Sequence, residues 1–340
     1  MYKKQVLNNV LNSKEGLHLS VYLKSHHSLA HSKRQLQQEL TLVKEELSLK
    51  SEKCNVENFM KPFNDFLDKF ELHYEDGQAL AIFRNDHFFT FIKIPVEVQT
   101  TFVISQSFHV LPILKWQQIH SDVLVVGLSH DGAWLYYGAG ERLSFIDSYK
   151  TEGDSEFNSR EYVRDIYFWL SEWITSFKKD YHFKLIFLSS TKAFDQVKRK
   201  LSKSLEVEHF EVDNALKDHI LEYESKIREK VINGNKKNIS KRLKKFYKLN
   251  DDEYLSQNVF QIADAINQGT VKKVIINNNV KISGEVDFKS GHILLKSENP
   301  SSEDLLDDLA QMVISKGGEV IVLDEKNKDF TYPLMAVLKK

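Results

Sequence analysis

Val123-Leu124-Val125-Val126-Gly127-Leu128, then Ser129-His130-Asp131-Gly132 and Ala133-Trp134-Leu135-Tyr136-Tyr137, is the stretch that decides the fold. The first six residues form a strongly apolar strand, the next four a turn, and the last five a return strand. Leu143–Ile146 continues as a third strand of the meander. The polar segment Lys150–Ser159 separates it from an amphipathic helix, on which Val163, Ile166, Tyr167, Leu170, Trp173, Ile174 and Phe177 share one stripe. A strand at Lys184–Leu188, a Ser189-Ser190-Thr191 cap and a helix at Lys192–Ser204 follow. Three antiparallel strands, helix, strand, helix is the order of a layered α/β domain that begins near Ser121.

Toward the N-terminus, Leu17, Leu19, Val21 and Leu23 alternate with more polar neighbours, the pattern of a half-buried strand. A helix is expected from about Lys33, where Leu36, Leu40, Val43 and Leu47 recur at helical spacing. A second is expected over Val56–Phe70, on Phe59, Phe63, Phe66 and Phe70. Arg84-Asn85-Asp86-His87 joins Ala79–Phe83 to Phe88–Ile94 as a hairpin. The apolar run Phe108–Leu114 carries the chain onward, which completes an α+β domain. Toward the C-terminus, Asp213–Tyr247 reads as a charged connecting helix. A helix at Gln257–Gln268 stops at Gly269 and leads to a strand at Val271–Ile276, and a hairpin occupies Lys281–Leu295. A helix at Glu303–Lys316, capped by Ser301 or Ser302 and ended by Gly317-Gly318, precedes strands at Glu319–Leu323 and Met335–Leu338. The expected domains are 1–118, 119–232 and 233–340.

Length and composition fit this division. The chain has 340 residues, 41% hydrophobic and 28% charged, which excludes a wholly disordered protein. Its 47 Lys and Arg against 48 Asp and Glu leave a formal net charge of −1, so a globally cationic nucleic-acid coat is excluded while local basic patches are not. One cysteine, Cys54, allows no intrachain disulfide and no CxxC zinc site and suits a reducing compartment. No run reaches the apolar length of a membrane span, and none has the form of a signal peptide. A cytoplasmic protein without membrane partners is expected.

The domain order resembles the archaeal and eukaryotic class I release factors and their relative Pelota, with the closest likeness to bacterial members of that superfamily. Leu19-Ser20-Val21-Tyr22-Leu23 and the following helix are similar to the start of the first domain, and Phe108–Leu114 to its end. The middle domain resembles the ribonuclease-H-like layered fold. Ala265-Ile266-Asn267-Gln268-Gly269-Thr270-Val271-Lys272-Lys273-Val274-Ile275-Ile276 is the most specific match, similar to the helix–Gly–strand entry of the third domain. That domain would be an α/β sandwich of the kink-turn-binding ribosomal protein type. The resemblance implies a ribosomal A-site ligand, with rRNA and tRNA as contacts and a translational GTPase as a further partner. The chain departs from the pattern as well. The Gly-Gly-Gln tripeptide of release factors belongs on the loop that is Lys150–Asn158 here, where Thr151, Glu152, Gly153 and Asp154 stand instead, and it occurs nowhere else. The Asn-Ile-Lys-Ser motif of stop-codon reading is absent too. These departures favour stalling, rescue or hibernation over termination.

Among chemical candidates, three carboxylates on the Lys150–Asn158 loop would be repelled by RNA phosphates. The strand Val123–Leu128 lacks the central carboxylate that a two-metal nuclease requires. No HxH or HExxH spacing occurs, so neither a metal nor another cofactor is expected. His109, in an apolar run, reads as a hydrogen-bonded core histidine. RNA contact has the best support. Lys24, His26, His27, His31, Lys33 and Arg34 crowd a strand-to-helix loop, where a helix dipole would favour anions. An ordinary solvated loop is the competing reading. Lys241, Arg242, Lys244 and Lys245, interleaved with Phe246 and Tyr247, either track phosphate or form a solvated linker face. The function expected is a non-catalytic ribosome-binding factor; the alternative is a peptidyl-tRNA hydrolysing or RNA-processing enzyme.

Overall fold

A computed structural model describes residues 9–13, 16–24, 26–50, 55–73, 78–94, 98–129, 132–138, 143–150, 160–180, 183–202, 205–212, 220–288, 290–296, 303–323, 330 and 332–339. It is a mixed α/β chain with several sheets, divided into two compact units. Unit 1 joins Met1–Trp116 to Arg242–Lys340, and unit 2 is Gln117–Lys241.

After a short helical stretch at residues 9–12, unit 1 has β1 (His18–Leu23), α1 (Leu29–Lys50), α2 (Val56–Asp68) and the single turn α3 (Phe70–His73). β2 (Ala79–Arg84), β3 (Phe89–Ile94) and β4 (Thr101–Ser105) complete an antiparallel sheet in the order β3-β2-β1-β4. The expected half-buried β1 is in fact buried at all six positions. Leu19, Val21 and Leu23 pack under α1 and α2 with Phe59, Phe63 and Phe66. Tyr22 faces the other way, against Phe83, Phe108 and Val110. The intervening polar side chains are satisfied rather than solvated: His18 reaches Ser13 Oγ at 2.8 Å and Gly16 O at 3.0 Å, and Ser20 Oγ accepts from His109 N at 2.9 Å. α1 begins at Leu29, four residues before the expected start, because Ser28 caps it: Ser32 N donates to Ser28 O and His31 N to Ser28 Oγ.

The run Phe108–Leu114 leads into α4 (Leu111–Ile119), which sequence periodicity did not reveal. Its apolar side chains serve two cores. Val110, Ile113 and Trp116 pack on the first sheet, while Leu111 lies in the core of the second. That second sheet has the order β10-β15-β11-β14, from β10 (Glu253–Ser256), β11 (Val271–Asn277), β14 (Glu319–Leu323) and β15 (Leu334–Lys339). β11 runs parallel to β14 and antiparallel to β15. α8 (Val259–Asn267) and α9 (Leu305–Ser315) cover it, and β12 (Gly284–Val286) pairs with β13 (Ile293–Leu295). The cap of α9 is Asp304, whose side chain accepts from Leu306 N. It replaces the expected Ser301 or Ser302, which fall outside the described residues.

In unit 2, β5 (Asp122–Ser129), β6 (Gly132–Gly138) and β7 (Ser144–Lys150) are an antiparallel meander, extended by the parallel strands β8 (Phe183–Ser189) and β9 (Val207–Glu211). The order is β7-β6-β5-β8-β9. Gly132 starts β6 at φ +144°, and a Cβ there would stand 2.0 Å from Tyr149 O, so only glycine fits this close strand approach. α5 (Arg160–Asp180) and α6 (Thr191–Lys198) share one core with the sheet through Ile166, Leu170, Phe187 and Phe194. α6 is capped by Ser190 and ends short of the expected Ser204. A 3-10 turn at Leu221–Tyr223 leads into α7 (Glu224–Phe246), whose Ile227 and Val231 join Val123, Val125 and Trp134 in a second core. Of the helical stretch expected from Asp213, residues 213–219 lie outside the described residues. Among the described residues no helix is long and apolar enough to cross a membrane.

Candidate nucleic-acid interface

The first basic cluster sits where β1 ends and α1 begins. Lys24 is exposed one residue past β1, and its backbone N–H is held by Thr100 Oγ1 at 3.0 Å. His26 is fixed by Gln35 Oε1 at 2.9 Å and by the His31 ring at 4.3 Å between centroids. His27 and Arg34 are exposed, and Lys33 is half-buried. Because α1 starts at Leu29, His31, Lys33 and Arg34 occupy its first two turns. Cationic groups there oppose the helix dipole, which favours anionic groups at this end, so helix stability does not account for them. Ser28 already takes the His31 and Ser32 N–H groups, so an anion brought to this end would meet chiefly the cationic side chains.

The second cluster lies on the last turns of α7. Lys241, Lys244 and Lys245 are exposed. Arg242 instead donates to Glu319 Oε1 at 2.5 Å and to Val320 O at 3.2 Å, tying α7 to β14. Phe246 is buried and Tyr247 is 46% exposed. Cations near a helix C-terminus are favoured by the dipole, so this cluster has a structural explanation that the first lacks. Thr151, Glu152, Gly153 and Asp154 lie outside the described residues.

Two carboxylates of unit 2 have structural partners. Asp122 accepts from Tyr137 Oη at 2.9 Å, and Asp147 accepts from both Trp169 Nε1 and Trp173 Nε1 at 2.9 Å. Partial burial opposes ionisation of Asp147, but the two indole donors outweigh it and hold the carboxyl below its ordinary range.

The polar junction beside the first cluster was not foreseen in the sequence. Asp307 of α9 accepts from Val110 N at 2.7 Å and Leu111 N at 2.6 Å, the donors at the start of α4. It thus caps a helix nearly two hundred residues away in the chain. Its Oδ1 is 3.2 Å from His109 Nδ1, and its Oδ2 accepts from Gln311 Nε2 at 2.9 Å. Asp308 accepts from Ser107 Oγ at 2.5 Å, and Gln311 donates to Phe108 O at 2.7 Å. His109 thus places its buried Nδ1 beside a carboxylate, with which the protonated imidazole would form an ion pair. Burial lowers its pKa, yet Asp307 and Asp304 together raise it. Burial raises Asp304 to about 6 and Asp308 well above the ordinary carboxyl range. The one available signal was the helix Leu305–Val313, buried on every side while carrying Asp307, Asp308 and Gln311; such polar groups require partners. Nothing in one sequence says that those partners are residues 107–111.

The structure resembles solved translation factors. Archaeal translation termination factor aRF1 matches at 14% identity over 99% of this chain and 97% of its own, with a TM-score of 0.26. Ribosome-bound archaeal Pelota, determined with ABCE1, matches at 13% over 99% and 94%, with a TM-score of 0.44. Dom34 of S. cerevisiae, described as a translation termination-like factor that interacts with Hbs1, matches at 14% over 77% and 79%, with a TM-score of 0.42. No protein-family profile and no curated protein sequence matches the chain.

Proposed function

We propose that this protein is a cytoplasmic, bacterial, ribosome-associated factor that occupies the A site in stalling, rescue or hibernation, without catalysing peptide release. The proposal includes three domains, 1–118, 119–232 and 233–340, the second ribonuclease-H-like and the third of the kink-turn-binding type. rRNA is the principal contact, tRNA a neighbouring one, and a translational GTPase a further partner. The observation that carries this reading is the cluster Lys24, His26, His27, Lys33 and Arg34, displayed at a helix start that does not require cations, on a chain of formal net charge −1. The second cluster, Lys241, Lys244 and Lys245, adds exposed positive charge on α7. The absence of a Gly-Gly-Gln tripeptide from the whole sequence supports binding without release chemistry.

Sedimentation with ribosomes across a salt series tests the proposal. Lys33→Glu with Arg34→Glu should weaken association, and each lost phosphate contact should lower the log–log salt slope by about one. An unchanged slope would move the interface elsewhere. Release of labelled peptide from stalled complexes by the wild-type protein would make it an enzyme.

A further inference from the structure

A groove of about 770 Å³ opens beside the junction in unit 1. Lys24 lines it from just past β1 and Gln99 from just before β4, His109 and Lys115 from the α4 segment, and Asn278 and Asn279 from the loop after β11. Among its described lining residues every ionisable cation-forming side chain is Lys or His, and no carboxylate is present. Asp307, 3.2 Å from His109 Nδ1, is buried and 2% exposed. Lys281 is near enough for its charge to act on His109 as well. A concave surface lined by one sign of charge concentrates the opposite sign. The backbone that carries the two asparagines is held in place: Asn278 N donates to Leu323 O at 2.9 Å, and Asn279 N to Asn277 Oδ1 at 3.1 Å.

We propose that this groove holds a single-stranded RNA segment, with backbone phosphates at Lys24 and Lys115 and base or ribose edges at Gln99, Asn278 and Asn279. This deepens the ribosome-binding reading and rests on it. Lys24 belongs both to the groove and to the cluster at the start of α1, so one strand can pass from one to the other. The volume exceeds what a lone phosphate fills and lies within the range of about 300–1,000 Å³ usual for ligand sites. Side-chain amides pair with base edges and the 2′-hydroxyl; the choice of RNA over an acidic peptide rests on the ribosome-binding reading.

The test is titration of the full chain with a short labelled oligouridylate over a range of salt. Lys115→Glu should weaken binding about tenfold and lower the salt slope by about one. Asn279→Asp, at an exposed position, should weaken it severalfold and provides the test if the first variant melts early by circular dichroism. Binding unchanged in both groove variants but lost in Lys33→Glu with Arg34→Glu would overturn the groove and leave the proposed function standing. The opposite pattern would uphold the groove and remove the loop from the interface. A wild-type protein that sediments with ribosomes but ignores the oligouridylate would overturn the groove alone. Displacement of the RNA by oligoglutamate at equal affinity would overturn the choice of RNA.

Discussion

Two carboxylate sites, the Asp304, Asp307 and Asp308 group of unit 1 and Asp147 of unit 2, are built in opposite ways. Glu253 of unit 1 follows the second pattern, held well below its ordinary range by Lys272 and the Asn250 backbone N–H. Unit 1 drives Asp304, Asp307 and Asp308 into an apolar helix and satisfies them with backbone donors, a serine, a glutamine and an imidazole. Unit 2 leaves Asp147 near the surface and gives it two indole N–H donors. The first arrangement suppresses ionisation at Asp304 and Asp308, and the second promotes it. The difference teaches that an acidic residue in the first turn of a helix need not be there for the dipole. Asp307 caps a different helix from the one that carries it.

Asp307→Ala should break this comparison most severely. It strands Val110 N and Leu111 N and leaves the His109 imidazole without its neighbouring carboxylate, while Gln311 keeps Phe108 O and Ser107 Oγ. Removing one partner from such a buried set costs about 3–5 kcal/mol. Relief of repulsion with Asp304 and Asp308 will offset part of that loss. Urea unfolding measures it, and a loss no larger than that of Asp147→Asn, about 1 kcal/mol, would show the junction to be incidental. Gly132→Ala is next. A Cβ 2.0 Å from Tyr149 O at φ +144° forces β6 and β7 apart, at about 2–3 kcal/mol. Hydrogen exchange should show the loss in β6 and β7, with the junction of unit 1 unchanged.

The smallest effect is on pH dependence, and its signs differ between the two sites. Asp304, Asp308 and His109 all have raised values in the folded state. The stability they contribute is present below their ordinary values and is lost as pH rises, through about 6 for Asp304. Asp147 is lowered, so its contribution is present above the ordinary carboxyl range and is lost as pH falls through its folded value. Exchange rates corrected for intrinsic pH dependence should show the contact of α4 with α9 in unit 1 loosening as pH rises through about 6, and the Asp147 site of unit 2 loosening as pH falls below the ordinary carboxyl range. Parallel profiles at the two sites would contradict the assignment.

Sequence reading worked where a segment's partners are local. The strands at Val123–Leu128 and Ala133–Tyr137 declare themselves as continuous apolar runs, buried on both faces, the hairpin around Asn85 by its turn residues, and the stripe from Val163 to Phe177 by helical periodicity. β1 looked half-buried because its alternation is real, but the sequence does not show that residues 107–116 cover its second face. α4 was hidden for a related reason: Leu111 and Ile113 point into different cores, so no single apolar stripe appears. The cationic cluster at the start of α1 was legible, since charge is read directly. The groove was not, because Lys24, Lys115 and Asn279 are brought together only by tertiary folding.

The split of unit 1 across the two ends of the chain also sets an order for synthesis. Leu111 emerges from the ribosome long before Ile262, Leu309 and Leu334, the residues that enclose it. All of Gln117–Lys241 must be made in between, at about 5–20 residues per second. During that interval the α4 segment has neither its cap nor half of its apolar cover. Unit 2 has its whole sequence available earlier and can close first. The nascent first sheet is therefore the stage most exposed to misassociation, and a chaperone acting on this chain would find its client surface at residues 107–114.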